Sequence, residues 1–351
     1  MRILFVAPVS FNNITFFISQ YITGLMNASE ILGHQAKIIQ TTEIYDKILI
    51  YNFFKQYKRH FRFFRKYVPC ITELHHDLLL VRKLLNAVKS FQPDIVFLHF
   101  IDSYYTHLAI KKIRELGSCV VIWLGVHPDN VSKGIRKILK KCNFTLIYDP
   151  SYVDYYKFNL CINNVRVVPL GCETNFYESV TPDDQFLKKN QTDICFIGMF
   201  DEHREKYLKE LINFELGIWS WNIGDYNTDL KKYYRGVVYG KDLVGIIKSS
   251  KISINIHRAS EISGGNFRLF EIPACGIMQI VDNKKNISEY FEPAKEIVTF
   301  NDPKELKDKV KYYLTHTSER EKIARAGFER VKRDHSLVDR MKRIITICEE
   351  R

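Results

Sequence analysis

Short apolar runs alternate with longer stretches of helical spacing along most of the chain. In the first half, RILFVAPV (2–9), QAKIIQ (35–40), DIVFLHF (94–100), CVVIWLG (119–125), FTLIYD (144–149) and VRVVPL (165–170) predict strands. Runs this short and this uniformly apolar suit strands buried on both faces. Between them, residues 14–32, 78–91 and 107–116 place apolar side chains at helical spacing and end at Gly33-His34, Gln92-Pro93 and Gly117. Glycine there reaches the left-handed conformation that closes a helix, and proline cannot continue one. Strands separated by such helices predict βαβ units and a parallel sheet.

The stretch ETNFYESVTPDDQFLKKNQT (173–192) is polar and aperiodic and predicts a linker. The alternation then restarts. DICFIGM (193–199), LGIWSW (216–221), GVVYG (236–240), KISINIH (251–257) and GIMQIVD (276–282) predict strands. HREKYLKELINF (203–214) and GNFRLFEIPACG (265–276) predict helices. Residues 303–349 are almost wholly helical in pattern, with Ser318 and Glu321 spaced as a capping box. The expected layout is an α/β chain with a Rossmann-like domain over 1–172, a linker over 173–192 and a second Rossmann-like domain over 193–334. A last helix over 335–351 packs back on the first domain. Ligands of open parallel sheets bind beyond the C-terminal strand ends. Two such edges facing each other across a cleft would suit transfer of a group from a nucleotide-linked donor to an acceptor.

Composition narrows the class. With 46% hydrophobic and 26% charged residues, the chain reads as globular rather than disordered. The longest apolar runs are about eight residues, far short of the ~20 of a spanning helix. The start, MRILFVAPVS, has no secretory apolar region. Lys and Arg number 52 against 40 Asp and Glu, a formal charge of +12. That balance favours an anionic partner: nucleic acid, an anionic membrane surface or a phosphorylated substrate. The eight cysteines form no CxxC pair and mostly sit in strand-like runs. They read as reduced core residues of a cytoplasmic protein, with no metal site expected.

The richest segment is NIHRASEISGGNFRLFEIPACGIMQIVD (255–282). A strand ends at His257-Arg258, a polar loop follows, and Gly264-Gly265 opens a helix. Free amides and the positive dipole end at such a helix start attract a diphosphate, and glycine permits close backbone approach. Arg258 and Arg268 would add positive charge, and Glu271 would accept hydrogen bonds from two ribose hydroxyls. The plainer alternative is that Gly264-Gly265 is an ordinary loop and Glu271 a solvated helix residue.

The run Gly264, Asn266, Phe267, Arg268, Leu269, Phe270, Glu271, Ala274, Cys275, Gly276 resembles the donor-binding segment of GT-B glycosyltransferases. More narrowly it resembles the "glycosyl transferases group 1" and CgeB-like spore maturation group. The resemblance spans roughly residues 140–335 by motif and the first hundred by fold pattern only. It implies the GT-B fold and a nucleotide-diphosphate-sugar donor of the UDP or GDP type, with no metal or other cofactor. It also implies a glycan, lipid-linked or protein acceptor and a retaining reaction. In FIGMFDEHRE (196–205) it implies that Gly198 faces the donor and Arg204 grips the diphosphate. Trp219 or Trp221 and Tyr239 would border the base, and His257 would join the donor site. In WLGVHPD (123–129) it implies His127 near the sugar. His127, Arg204 and Glu271 are thus the expected catalytic residues. The chain departs from related enzymes in two places: its first loop, APVSFNNITFF, has no glycine, and Ser263 stands where the first glutamate of an E-x7-E pair would be, with Glu261 two residues earlier.

KILIYNFFKQYKRHFRFFRKYV (47–68) stands apart. Phe54, Tyr57, Phe61 and Phe64 recur at helical spacing among Lys55, Lys58, Arg59, Arg62, Arg65 and Lys66, with no acid. It reads as an interfacial element on an anionic membrane, an acceptor patch, or a core stripe with a solvated basic face. No nucleic-acid-binding motif accompanies it, so nucleic acid is not the expected partner. Competing functions are a non-hydrolysing nucleotide-sugar epimerase, a catalytically silent glycan- or membrane-binding GT-B protein, and a DNA glycosyltransferase.

Overall fold

The computed structural model describes residues 1–8, 16–41, 68–99, 106–125, 128 and 131–351, with backbone alone for 16–19 and 68–76. His127 and the basic-aromatic positions Lys55, Lys58, Arg59, Arg62, Arg65 and Lys66 lie outside the described residues. The chain divides into two units, Met1–Val168 with Met341–Arg351, and Pro169–Arg340.

The first unit holds strands β1 (Arg2–Ala7), β2 (Gln35–Gln40), β3 (Ile95–His99), β4 (Cys119–Leu124), β5 (Phe144–Ile147) and β6 (Val165–Val167). They form one sheet in the order β2-β1-β3-β4-β5-β6, every pairing parallel. Helices α1 (Phe16–Ile31), α2 (Val68–Phe91), α3 (Thr106–Glu115) and α4 (Lys133–Leu139) make the crossovers. Both faces of the central strands are buried: Val96, Leu98, Val120 and Ile122 pack under α2 and α3 side chains such as Leu84 and Ile110, while Phe5 and Phe97 fill the other face. Uniformly apolar runs result because neither face meets water.

The second unit holds β7 (Thr192–Ile197), β8 (Leu216–Trp219), β9 (Tyr234–Gly236), β10 (Ser250–Asn255), β11 (Met278–Asp282) and β12 (Val298–Phe300). Their order is β12-β11-β10-β7-β8-β9, again all parallel. The helices are α5 (Thr174–Ser179), α6 (Asp184–Asn190), α7 (Glu202–Leu208), α8 (Gly240–Lys248), α9 (Phe267–Ala274), α10 (Ile287–Tyr290), α11 (Pro303–Thr315) and α12 (Thr317–Asp334). A last helix, α13 (Leu337–Glu349), begins in the second unit and ends in the first.

Several expectations are corrected. Residues 173–192 carry α5 and α6 and cluster with the second unit; Asp183 caps α6 by accepting from the Phe186 N–H at 2.7 Å. The strand read over 236–240 is instead β9, because Gly240 already starts α8. Ser318 caps nothing: α12 starts one residue before it, at Thr317. Cys161 is exposed rather than core. Among the described residues no helix is long and apolar enough to cross a membrane.

Candidate functional site

The candidate site sits at the C-terminal edge of the second sheet, where β7, β10 and β11 end side by side. Its centre is the turn into α9. Asn266 caps that helix, its Oδ1 accepting from the Leu269 N–H at 3.0 Å. Inside the helix, Pro273 has no N–H to give the carbonyl four residues back, that of Leu269. The Gln279 side chain on β11 donates to that carbonyl instead, at 3.1 Å. Gln279 Oε1 accepts from Asn255 Nδ2 at 3.0 Å, and Asn255 and Asn266 exchange amide hydrogen bonds at 2.9 and 3.0 Å. One chain of buried amides thus satisfies the helix start and the gap left by the proline, fixing α9 on the strand ends.

The glycines have a steric reason. Gly264 and Gly265 have φ of +81° and +98°, where other residues are strained. A Cβ on Gly264 would meet Ile287 Cδ1 at 2.9 Å, and one on Gly265 would meet the Tyr290 ring at 3.2 Å. The Gly265 N–H donates to His257 Nε2 at 3.3 Å. The other ring nitrogen of His257 lies 2.6 Å from Asp282 Oδ1, which also accepts from the His257 backbone N–H at 2.9 Å. Among the described residues the Gly264 and Asn266 amides have no protein acceptor. Burial would raise the Asp282 carboxyl, but its hydrogen bonds from His257, and nearby Lys284, hold it below the usual range.

The guanidinium groups divide into committed and available ones. Arg204 is 7% exposed and donates from Nε to the Ile256 carbonyl at 2.9 Å and from Nη1 to the Met199 carbonyl at 2.8 Å. Burial lowers its pKa. Arg268 donates to the Ile197 carbonyl at 3.2 Å and pairs with Glu271. Arg258 is exposed, and its Nη2 meets the Met199 thioether, a weak acceptor. Of the three, Arg258 is the one presented to solvent. Lys284 reaches Asp282 Oδ2 at 3.6 Å, and its stem lies against Gly264.

These positions revise several roles. Glu271 is 4% exposed, one oxygen taken by the Tyr177 hydroxyl at 2.6 Å and the other by Arg268. Both oxygens are engaged in this conformation, and the side chain ties α5 to α9. Burial and the neighbouring Glu271 carboxylate push the Tyr177 hydroxyl well up, so it stays a donor. Arg204 likewise braces the β7 and β10 ends and is not an open phosphate clamp. His257 is wholly buried and reaches a ligand only through Gly265. Asn266 contributes its backbone amide while its side chain is spent on capping. Gly198 follows β7 and donates to the Trp219 carbonyl at 3.0 Å. Trp219 is core at 2% exposure, whereas Trp221 is exposed at 43% and Tyr239 is half-buried at the start of α8. Phe267 is half-buried in the first turn of α9. Sequence reading missed Tyr177, Asn255, Gln279 and Lys284 as parts of the site. The signal for Gln279 was legible: a polar residue in an apolar strand, opposite a helix with an internal proline. Among the described residues no group of three or more His, Cys, Asp or Glu is placed to hold a metal ion.

Residues 203–346 match the family described as "Glycosyl transferase-like". The chain is similar to "Spore protein CgeB" of Bacillus subtilis (strain 168), 21% identical over 283 residues that cover 74% of this chain and 86% of that protein. Among solved structures it resembles a glycosyltransferase from Rickettsia africae ESF-5, at 14% identity and a TM-score of 0.67, covering 99% of this chain and 98% of the other. It also resembles Anabaena Alr3699/HepE in complex with UDP-glucose, at 11% identity and a TM-score of 0.64, each chain covered completely. The fold is GT-B.

Proposed function

We propose that this chain, with its GT-B fold and glycosyl transferase-like segment, transfers a sugar from a nucleoside-diphosphate donor held at the α9 turn of the second unit. The observation that carries the reading is the Gly264–Asn266 turn. Two positive-φ glycines and a capped helix start leave the Gly264 and Asn266 amides without acceptors among the described residues, with an exposed arginine at the end of β10. Amides at a helix start plus a guanidinium are the groups that bind a diphosphate well. The complex of HepE with UDP-glucose supports the same class of donor here.

In the proposed reaction the bond from the anomeric carbon to the diphosphate oxygen breaks, and one to an acceptor oxygen forms. Negative charge grows on the leaving diphosphate, so fixed amides and Arg258 stabilise the transition state more than the ground state. We place the base at Trp221 and Tyr239, beside the β8 and β9 ends, and assign the acceptor, a glycan, lipid-linked or protein hydroxyl, to the first unit. The family resemblance favours retention, with the leaving phosphate taking the acceptor proton, and no divalent ion. A chelator should then leave activity intact, and the anomeric configuration of the product should match that of the donor.

The test is a thermal-shift panel of UDP, GDP and dTDP and their sugars. A nucleotide at 100 times its dissociation constant stabilises the fold by ~2.7 kcal/mol. A shift with one base series supports the reading; no shift with any ligand refutes it. Conversion of a nucleotide sugar with no acceptor present would favour the epimerase alternative.

A further inference from the structure

Nothing in the donor reading requires His257, which is wholly buried and touches no solvent. Its three hydrogen-bonded contacts nevertheless join two strand ends to the glycine turn. Asp282, the last residue of β11, accepts both from the His257 backbone N–H at 2.9 Å and from the ring at Nδ1, 2.6 Å away. A carboxylate at that distance requires the proton on Nδ1. Nε2 is then the bare, accepting nitrogen, and it faces the Gly265 N–H at 3.3 Å. Asp282 Oδ2 is met by Lys284 at 3.6 Å, so the carboxylate is anchored on its far side too.

The tautomer therefore carries a consequence for the loop. Gly265, at φ +98°, has few steric restraints of its own. Fixing its N–H fixes the peptide plane between residues 264 and 265, to which the Gly264 and Asn266 amides are each joined through a single residue's φ and ψ. We propose that His257 is a positioning residue for donor binding: held as the Nδ1–H tautomer by Asp282, it restrains Gly265 and thereby aims the neighbouring amides at the donor diphosphate. This rests on the donor reading above and deepens it. Orientation of this kind is how a metal-free cradle stays preorganised, because amides already aimed need no rearrangement when the ligand arrives.

Two substitutions separate the halves of the relay. In His257→Asn the side-chain amide stands near the Nδ1 position, so donation to Asp282 survives and Gly265 loses its acceptor. In His257→Gln the side-chain oxygen stands near the Nε2 position, so Gly265 keeps an acceptor and the Asp282 contact is lost. Both variants lose one buried hydrogen bond and a ring, so a merely structural histidine predicts equal losses of melting temperature and of affinity. The positioning role predicts that affinity divides while stability does not. Titration with UDP and with GDP should show His257→Gln within about threefold of wild type and His257→Asn weaker by about tenfold or more. Equal affinities in the two variants overturn the proposal.

A measurement on the wild-type chain guards against variants that do not fold. Histidine-selective nitrogen-15 spectra should show one buried ring protonated at Nδ1 and bare at Nε2. The Gly265 amide should exchange slowly without ligand, whereas those of Gly264 and Asn266 become slow only with UDP or GDP. A ring protonated at Nε2, or a Gly265 amide that exchanges as fast as its neighbours, overturns the positioning role and leaves the donor reading standing. Failure of the wild-type chain to bind either nucleotide instead withdraws the donor reading, and this proposal with it.

Discussion

Replacing Gly265 by alanine separates backbone strain from ligand recognition when it is set beside the same change at Gly276. Both glycines have positive φ, +98° and +71°, so alanine at either is held where L-residues are disfavoured by ~1–2 kcal/mol. The surroundings differ. A Cβ at Gly276 meets nothing within 4 Å, whereas at Gly265 it stands 3.2 Å from the Tyr290 ring, itself only 6% exposed. Gly276→Ala should thus cost ~1–2 kcal/mol and Gly265→Ala ~2–3, the excess coming from ring displacement. At 2–4 °C per kcal/mol for a unit of this size, the melting temperature should fall by roughly 2–8 °C and 4–12 °C. Nucleotide affinity should divide more sharply: Gly276→Ala leaves it unchanged, and Gly265→Ala lowers it by about tenfold or more, since the turned peptide no longer presents its neighbours. Scanning calorimetry and titration with UDP and GDP measure both quantities. A Gly265→Ala protein that binds with wild-type affinity refutes the cradle, whatever its melting temperature.

Other expectations separate the committed side chains from the available one. Arg258→Ala should leave the melting temperature within about 1 °C and weaken nucleotide binding by about 10–100-fold, the loss of a hydrogen bond to a charged group. Arg204→Ala should instead show its main effect in calorimetry, because two main-chain carbonyls lose a buried donor. Glu271→Ala breaks a buried ion pair and should cost ~3–5 kcal/mol, and Tyr177→Phe ~1–3 kcal/mol for the oxygen left unpaired. If Glu271→Ala melts like wild type and only binding is lost, Glu271 contacts the ligand and its placement as a brace is wrong. His335 is buried between the Tyr290 carbonyl at 2.7 Å and Arg340 Nη2 at 2.8 Å, and burial lowers its pKa to about 4. The folded state thus keeps it neutral while the unfolded chain takes up a proton below about 6.5, so its contribution is full above that pH and is lost as pH falls towards 4, by up to ~3 kcal/mol. Melting curves from pH 7 to 5 should show this slope, and His335→Gln should flatten it.

The fold was legible because its signals are local. Parallel strands buried on both faces produce uninterrupted apolar runs, and β4, Cys119–Leu124, buried throughout, falls within the run 119–125 that the pattern marks. What misled the reading was short structure. α5 and α6 are six and seven residues long, too short for a periodic signal, and their polar faces made 173–192 resemble a linker. At the site, the glycine turn was legible because positive φ demands glycine. The roles of Arg204 and Glu271 were not, because a charge facing a ligand and a charge facing a buried partner look the same in sequence. Their partners, the Ile256 carbonyl and Tyr177, lie 52 and 94 residues away. Of the three arginines at the site Arg258 is the exposed one, and nothing in residue type distinguished it from Arg204 or Arg268.

Donor binding as proposed depends on backbone amides at the α9 turn holding a diphosphate. A crystal of the chain with whichever of UDP or GDP stabilises it most tests this directly. The diphosphate should lie against the Gly264 and Asn266 amides with the Arg258 guanidinium turned onto it. Nucleotide density anywhere else on the second unit, or at this edge but away from those amides, contradicts it.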